Sequence, residues 1–177
     1  MLHQYLILSI LSLLLVACST RPPAPPLPQD PAIYLKKMPL PKKLVLPVAG
    51  IETPQLRDTW GASRGQGRRH EGIDIMAARG TKVLSATDGI IADLRNNNLG
   101  GKVIWILGPS SSWHYYAHLD AHRSGLKVGD YVRQGEHIGF VGNTGNAKNT
   151  PPHLHYGLYL QGKGRGAVNP FLYLGSF

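Results

Sequence analysis

The sequence predicts an all-β domain of antiparallel strands, preceded by a signal segment and a proline-rich tether. Short runs rich in Val, Ile, Tyr and Trp recur from about residue 46 onward, and clusters of Gly, Asn, Pro and Ser separate them. No 12-residue window after the signal segment carries a helical stripe. A chain of 177 residues has room for one domain with a proper core.

The first 17 residues predict a secretory signal peptide. The apolar run Tyr5–Val16 spans about 12 residues, which is too short to cross a bilayer. It leads into Leu15-Val16-Ala17-Cys18, which contains the only cysteine of the chain and resembles the lipobox of bacterial lipoproteins. The resemblance implies that Cys18 is lipidated and anchors the chain to a membrane surface. Ser19 after the cysteine indicates the outer membrane, with the domain facing the periplasm.

Residues 18–45 predict a tether that holds residues 46–177 away from the membrane. Proline recurs through this segment, and its composition favours extended, polyproline-like chain that buries little surface. The net charge of +9 arises entirely after residue 20, and it predicts an anionic partner. An exported chain meets the cell wall and lipid headgroups, so nucleic acid is not expected as a partner.

The predicted strands of the domain follow one another with short connections. Asn96–Gly101 is a hairpin turn, and Gly108–Ser112 is a second loop. The strands are expected at Gly72–Met76, Thr81–Ser85, Gly89–Leu94, Lys102–Leu107, Trp113–Leu119 and His137–Val141, with a further alternating run at Pro151–Leu160.

Two histidines one residue apart occur in the last of these runs. On a strand, residues i and i+2 point to the same face, so His153 and His155 are expected to lie side by side. One of them can hold a metal ion while the other handles a proton. The motif alone does not choose between them.

A second cluster, His70-Glu71-Gly72-Ile73-Asp74, supplies nitrogen and oxygen ligands of the kind zinc accepts. A helical His-Glu-x-x-His motif is excluded, because position 74 is Asp and the helix would contain Gly72 and two isoleucines. A bend at Gly72 is expected to place His70 in a loop and Asp74 on the following strand. Glu71 then points elsewhere and is expected to be a loop carboxylate and not a general base.

His118 completes the set of candidate residues. It lies in Tyr115–Leu119, and strand alternation predicts that it shares a face with Tyr116 and His114. His70, Asp74 and one histidine of the pair would give three zinc ligands and leave one position for water. The other histidine, with His118, could take the proton of that water and stabilise the oxyanion of a tetrahedral intermediate.

These motifs resemble, in order and spacing, the lysostaphin/LytM-type zinc metallopeptidases. The similarity extends from about Leu46 to Leu174 and implies the duplicated hybrid motif fold, in which antiparallel sheets form a groove. The matching stretches are Arg69-His70-Glu71-Gly72-Ile73-Asp74-Ile75, Tyr116-Ala117-His118-Leu119, Val128-Gly129-Asp130-Tyr131-Val132, Gly139-Phe140-Val141-Gly142-Asn143-Thr144-Gly145, Pro152-His153-Leu154-His155 and Val168-Asn169-Pro170.

The resemblance implies Zn²⁺ on His70, Asp74 and His155, with His118 and His153 as the catalytic histidines. It further implies an endopeptidase that cuts peptide cross-links of peptidoglycan, which in this family are glycyl bridges or the D-alanyl–diaminopimelate link. A lipoprotein of a two-membrane envelope should meet the D-alanyl–diaminopimelate link. An alternative from the same resemblance is a non-catalytic or dual-use cell-wall protein that activates amidases at division.

Two departures from the family pattern bear on substrate preference. Gly157 stands where an acidic residue commonly follows the His-x-His strand, and the Ser-rich loop Gly108–Ser112 replaces a His-Gly turn. Both are expected near the walls of the groove.

Overall fold

The computed structural model of the chain describes residues 26–174, apart from the side chain of Gln66. The predicted signal peptide and the lipidation site at Cys18 lie outside the described residues. Within residues 26–174, no helix is long and apolar enough to cross a membrane.

Nine strands and one short α-helix form the described part of the chain, and five single 3₁₀ turns lie in its loops. The expected strands all form, with bounds that differ by up to three residues. The helix α1 is Pro31–Lys37, and the strands are β1 (Ile73–Met76), β2 (Lys82–Leu84), β3 (Gly89–Asn97), β4 (Gly101–Leu107), β5 (Trp113–His122), β6 (Tyr131–Val132), β7 (His137–Val141), β8 (His153–Tyr159) and β9 (Ala167–Val168).

The strands pair into one antiparallel sheet, which confirms the predicted all-β class. The main order is β1-β8-β5-β4-β3-β6, while β7 joins β5 to β2 and β9 pairs with β8. β8 is central to the arrangement because it pairs with β1 on one side and with β5 on the other.

Alternation along β1 and β8 separates a core face from a groove face. Ile73 and Ile75 of β1, with Leu154 and Tyr156 of β8, are buried in the hydrophobic core. The residues between them therefore point to the opposite face. On that face lie Asp74 and Met76 of β1, and His153 and His155 of β8.

A β-bulge in β5 changes the face to which His118 points. Tyr116 and His114 are fully buried, as alternation requires, and strict alternation would bury His118 beside them. The pairing of β4 with β5 shifts register beyond Tyr116, and His118 adopts a left-handed backbone with φ of 63°. The extra residue turns His118 into the groove. The prediction that His118 shares a face with Tyr116 and His114 is therefore wrong.

The expectation of extended chain over residues 18–45 is wrong for Pro31–Lys37, which form α1. Asp30 caps this helix by accepting hydrogen bonds from the backbone N–H groups of Ala32 and Ile33, and Pro31 occupies the first helical position. Leu35 is fully buried, and α1 packs against β3 and the 3₁₀ turn Pro109–Ser111. The burial of Leu35 against the domain stabilises a helix that is too short to form alone.

Candidate metal centre

A groove of about 650 Å³ runs across the sheet face that carries the predicted site residues. One wall comes from residues 64–71 and the other from residues 99–100 and 146–151. The floor is formed by β1, β8 and β5. His70, Asp74, His118, His153 and His155 all line this groove.

The sheet register brings Asp74 and His155 together. Asp74 on β1 lies directly opposite His155 on β8, whereas His153 lies opposite Met76. His70 reaches the same point from the loop before β1, because the chain bends at Gly72 between His70 and Asp74, as the sequence predicts. Gly72 packs so closely that a Cβ atom there would lie 2.6 Å from the Tyr156 carbonyl oxygen and 2.7 Å from Cε1 of His155. Only glycine fits this position without displacing the imidazole ring.

Three donor atoms converge on one point, which is the geometry of a metal site. His70 Nε2 lies 2.8 Å from His155 Nδ1 and 3.1 Å from Asp74 Oδ1, and the third side of the triangle is 3.2 Å. Donor atoms on a tetrahedral ion with bonds of about 2.0–2.1 Å lie about 3.3 Å apart. Among the described residues, His70, Asp74 and His155 form the group of His, Cys, Asp and Glu side chains that could hold a metal ion.

Hydrogen bonds behind the triangle orient two of its members. His70 donates from Nδ1 to the carbonyl oxygen of Thr59 at 2.8 Å, which leaves the Nε2 lone pair directed at the site. The Thr59 hydroxyl accepts the backbone N–H of Asp74 at 3.0 Å. Arg64 donates to Asp74 Oδ2 at 2.5 Å, so only Oδ1 faces the two histidines. These contacts are the outer support that metal-binding side chains require.

His118 and His153 stand beside the triangle with matching tautomers. His153 donates from Nδ1 to the Pro151 carbonyl oxygen, and His118 donates from Nδ1 to the Thr144 carbonyl oxygen, both at 2.9 Å. Each ring therefore keeps an unprotonated Nε2 that can accept a proton. The two ring centroids lie 5.0 Å apart, and His153 Nε2 is 3.9 Å from Asp74 Oδ1. Both accepting carbonyls belong to the loop between β7 and β8.

The electrostatics of the site favour a charged carboxylate and neutral imidazoles. Burial alone would raise the pKa of Asp74, but the close contacts of its carboxylate with the His155 and His70 rings outweigh burial and hold this pKa well below its usual range. Burial lowers the pKa of His118 to about 4. Burial also lowers the pKa of His155. At neutral pH these two histidines are therefore free bases, as metal binding and proton acceptance both require.

Sequence reasoning missed Thr59 and the structural roles of Asp58 and Asn169. Asp58 accepts hydrogen bonds from the backbone N–H of Trp60 and from the Asn169 side chain at 2.9 Å, which fixes the turn that presents Thr59. The resemblance had marked Asn169 without giving it a task. No local pattern signals these contacts, because residues 58 and 169 are brought together only by the fold.

The two departures from the family pattern have different surroundings. A Cβ atom on Gly157 would lie 3.0 Å from the ring of Tyr159, which occupies the adjoining space and lines the groove. The loop Gly108–Ser112 does not line the groove, and α1 packs against it. The expectation that this loop lies near a groove wall is therefore wrong, because the loop is covered by α1, which precedes the predicted domain.

Family comparison agrees with the class that fold and site define, a metallopeptidase with an antiparallel β-sheet groove. Residues 68–170 match the model of Peptidase family M23, and the chain belongs to this family. It is 40% identical over 126 residues to an L-Ala–D-Glu endopeptidase of Bacillus subtilis, which covers 67% of this chain and 39% of that protein. It is 36% identical over 98 residues to the peptidoglycan DD-endopeptidase ShyC of Vibrio cholerae, which covers 55% of this chain and 22% of that protein. The chain thus spans about two fifths or less of these relatives.

Solved structures support the same assignment of the fold. The catalytic domain of lysostaphin from Staphylococcus simulans superposes with a TM-score of 0.60 and 30% identity, covering 68% of this chain and 94% of that domain. Helicobacter pylori Csd3 superposes with a TM-score of 0.60 and 32% identity, covering 76% of this chain and 35% of that one. The predicted LytM/lysostaphin fold is confirmed.

Proposed function

We propose that this chain is a zinc-dependent endopeptidase that hydrolyses peptide cross-links of peptidoglycan. The observation that carries the proposal is the juxtaposition in one groove of the donor triangle with two further histidines that have unprotonated Nε2 atoms. Two imidazole nitrogens and one carboxylate oxygen suit zinc, and this donor set leaves a coordination position for water or substrate. The named activities of the relatives support a cell-wall peptide as substrate.

The metal ligands and the two further histidines of the groove have separate roles in the proposed hydrolysis. Held by His70, Asp74 and His155, zinc would act as a Lewis acid that polarises a water molecule or a carbonyl. His118, whose lowered pKa keeps it neutral, would accept at Nε2 the proton lost on attack. Once protonated, His118 would donate a hydrogen bond to the oxyanion and pass the same proton to the leaving amine. His153, whose Nδ1 is held by the Pro151 carbonyl, would accept a hydrogen bond at Nε2 and orient the attacking water. The groove itself orients an extended peptide across the sheet.

Lipid anchoring at Cys18 and an outer-membrane address remain part of the proposal. The lone cysteine at the end of the apolar run supports the first, and Ser19 supports the second. Radiolabelled palmitate incorporation that disappears in Cys18→Ser would test the anchor.

Digestion of purified sacculi tests the activity. Zinc-loaded protein without its first 18 residues should convert cross-linked muropeptides to uncross-linked ones, and chelator should stop the reaction. His118→Ala should be inactive, while the matched control His122→Ala should be active. His122 lies further along β5, outside the groove, and bonds the Val103 carbonyl. Binding to sacculi with unchanged muropeptides would overturn the proposal and favour the amidase-activating alternative.

A further inference from the structure

A hairpin carries three arginines along one wall of the groove. Residues 61–70, here called the arginine hairpin, pair through backbone hydrogen bonds from Gly61 to His70, from His70 to Ala62 and from Arg64 to Arg68, at 2.8–2.9 Å. The 3₁₀ turn Gly65–Gly67 forms its tip. Since the returning strand ends at His70, the fold fixes the hairpin to the donor triangle.

Positive charge in the groove is confined to this hairpin. Arg64, Arg68 and Arg69 are the basic residues that line the groove, leaving the histidines aside. The opposite wall is uncharged and consists of Leu99, Gly100, Asn146, Ala147, Thr150 and Pro151. A bound peptide would therefore meet three arginines on one side only, with the single carboxylate of Glu71 beside them.

The guanidinium groups of the hairpin keep donors for a ligand. Arg68 donates from Nε to the Gly65 carbonyl at 3.3 Å, and Arg69 donates from Nη1 to the Gly61 carbonyl at 3.1 Å. A guanidinium has five N–H donors, and its planar fork matches a carboxylate.

The basic wall begins next to the donor triangle. Arg64 bonds Asp74 Oδ2, and the other oxygen of the same carboxylate belongs to the triangle. Arg69 directly precedes His70 of the triangle in the chain, and one residue of extended chain spans about 3.3–3.6 Å. A substrate carboxylate held at this end of the hairpin would therefore belong to a residue close to the scissile amide.

We infer that the arginine hairpin is a carboxylate-binding subsite, and that the preferred substrate is an amide flanked by a residue with a free carboxylate. The inference rests on the proposed function and specifies its substrate class. Diaminopimelate carries a carboxylate on each carbon that carries an amino group, so an amide formed through either nitrogen meets this requirement. A glycyl bridge offers no such group and is a poor substrate.

A matched pair of synthetic peptides tests the subsite. Both contain a D-alanyl–diaminopimelate amide, and the carboxylate flanking that amide is free in one and a primary carboxamide in the other. Loss of a charge-assisted contact should lower kcat/KM for the carboxamide by about tenfold to a hundredfold. Added salt should narrow the difference in kcat/KM between the two peptides, because Arg68 and Arg69 are exposed. In chelator-treated protein, calorimetry should show that the peptide with the free carboxylate binds more tightly than the peptide with the carboxamide.

Arginine variants assign the effect to the hairpin. The double variant Arg68→Gln/Arg69→Gln should have a lower kcat/KM for the peptide with the free carboxylate. Its kcat/KM for the carboxamide peptide and its metal content should be unchanged. The control Arg57→Gln/Arg165→Gln removes the same charge outside the groove and should behave like the wild type. Equal rates on both peptides, or a double variant that slows both equally, would overturn the subsite while the proposed function stood. No cleavage of either peptide or of sacculi would overturn both.

Discussion

Replacing Gly72 by alanine should disturb the donor triangle without removing any donor. The added methyl group would lie 2.6 Å from the Tyr156 carbonyl oxygen, 2.7 Å from Cε1 and 2.9 Å from Nε2 of His155. Ordinary contact begins at 3.4 Å, so β1 or the His155 ring must move by about 0.5–0.8 Å. Metal sites tolerate deviations of only about 0.2 Å in ligand distances.

The expected consequences of Gly72→Ala are a weaker metal site and a less stable fold. Metal affinity should fall by about 10- to 100-fold, the usual effect of disturbing the support of a ligand. Overpacking should lower the free energy of unfolding of the metal-free protein by about 1–3 kcal/mol. Competition with a chromogenic chelator measures the first quantity, and urea denaturation in the presence of chelator measures the second.

Gly65→Ala is the matched control, because no atom lies within 4 Å of a Cβ placed there and the residue does not need positive φ. It should keep the affinity and stability of the wild type. A Gly72→Ala protein with unchanged zinc affinity and unchanged stability would refute the placement of His155 against Gly72, and with it the geometry of the triangle.

Three further predictions concern residues around the site. Burial lowers the pKa of the His114 imidazole to about 3, so below about pH 6.5 this residue takes up a proton in the unfolded chain but not in the folded one. His114 should therefore lower the free energy of unfolding by about 2 kcal/mol between pH 7 and pH 5. Denaturation curves of His114→Gln should lack this part of the pH dependence. Thr59→Val removes the acceptor of the Asp74 backbone N–H and should weaken zinc binding about tenfold by chelator competition, whereas Thr59→Ser should not. Asn143 donates to the carbonyls of residues 148 and 150 in the β7–β8 loop, so Asn143→Ala should lower kcat for sacculi with unchanged zinc content; an unchanged kcat would show that the loop holds its shape without it.

Period-two alternation explains why much of the site could be predicted from sequence. Asp74, His153 and His155 lie on strands whose intervening residues are apolar, so their common face follows from pattern alone. The bend at Gly72 also follows, since a straight strand would hold His70 and Asp74 apart, and Gly72 with two isoleucines disfavours a helix. The structure adds a second reason for glycine there, namely its contact with the His155 ring.

Other features depend on contacts between distant segments. The pairing of β1 with β8 sets His155, and not His153, opposite Asp74, and no local pattern specifies that register. The bulge that turns His118 into the groove arises where β5 passes from pairing with β4 to pairing with β7. The helix α1 forms because Leu35 finds a place on the domain, so the proline-rich composition of residues 18–45 could not reveal it.

Metal content of two histidine variants tests most directly the claim that neighbouring histidines have different tasks. His155→Ala and His153→Ala should be purified in parallel, loaded with zinc, and analysed by elemental mass spectrometry and by sacculus digestion. His155→Ala should bind no zinc, whereas His153→Ala should bind one zinc per chain and fail to hydrolyse cross-links. Zinc retained by His155→Ala and lost from His153→Ala would contradict this division of roles.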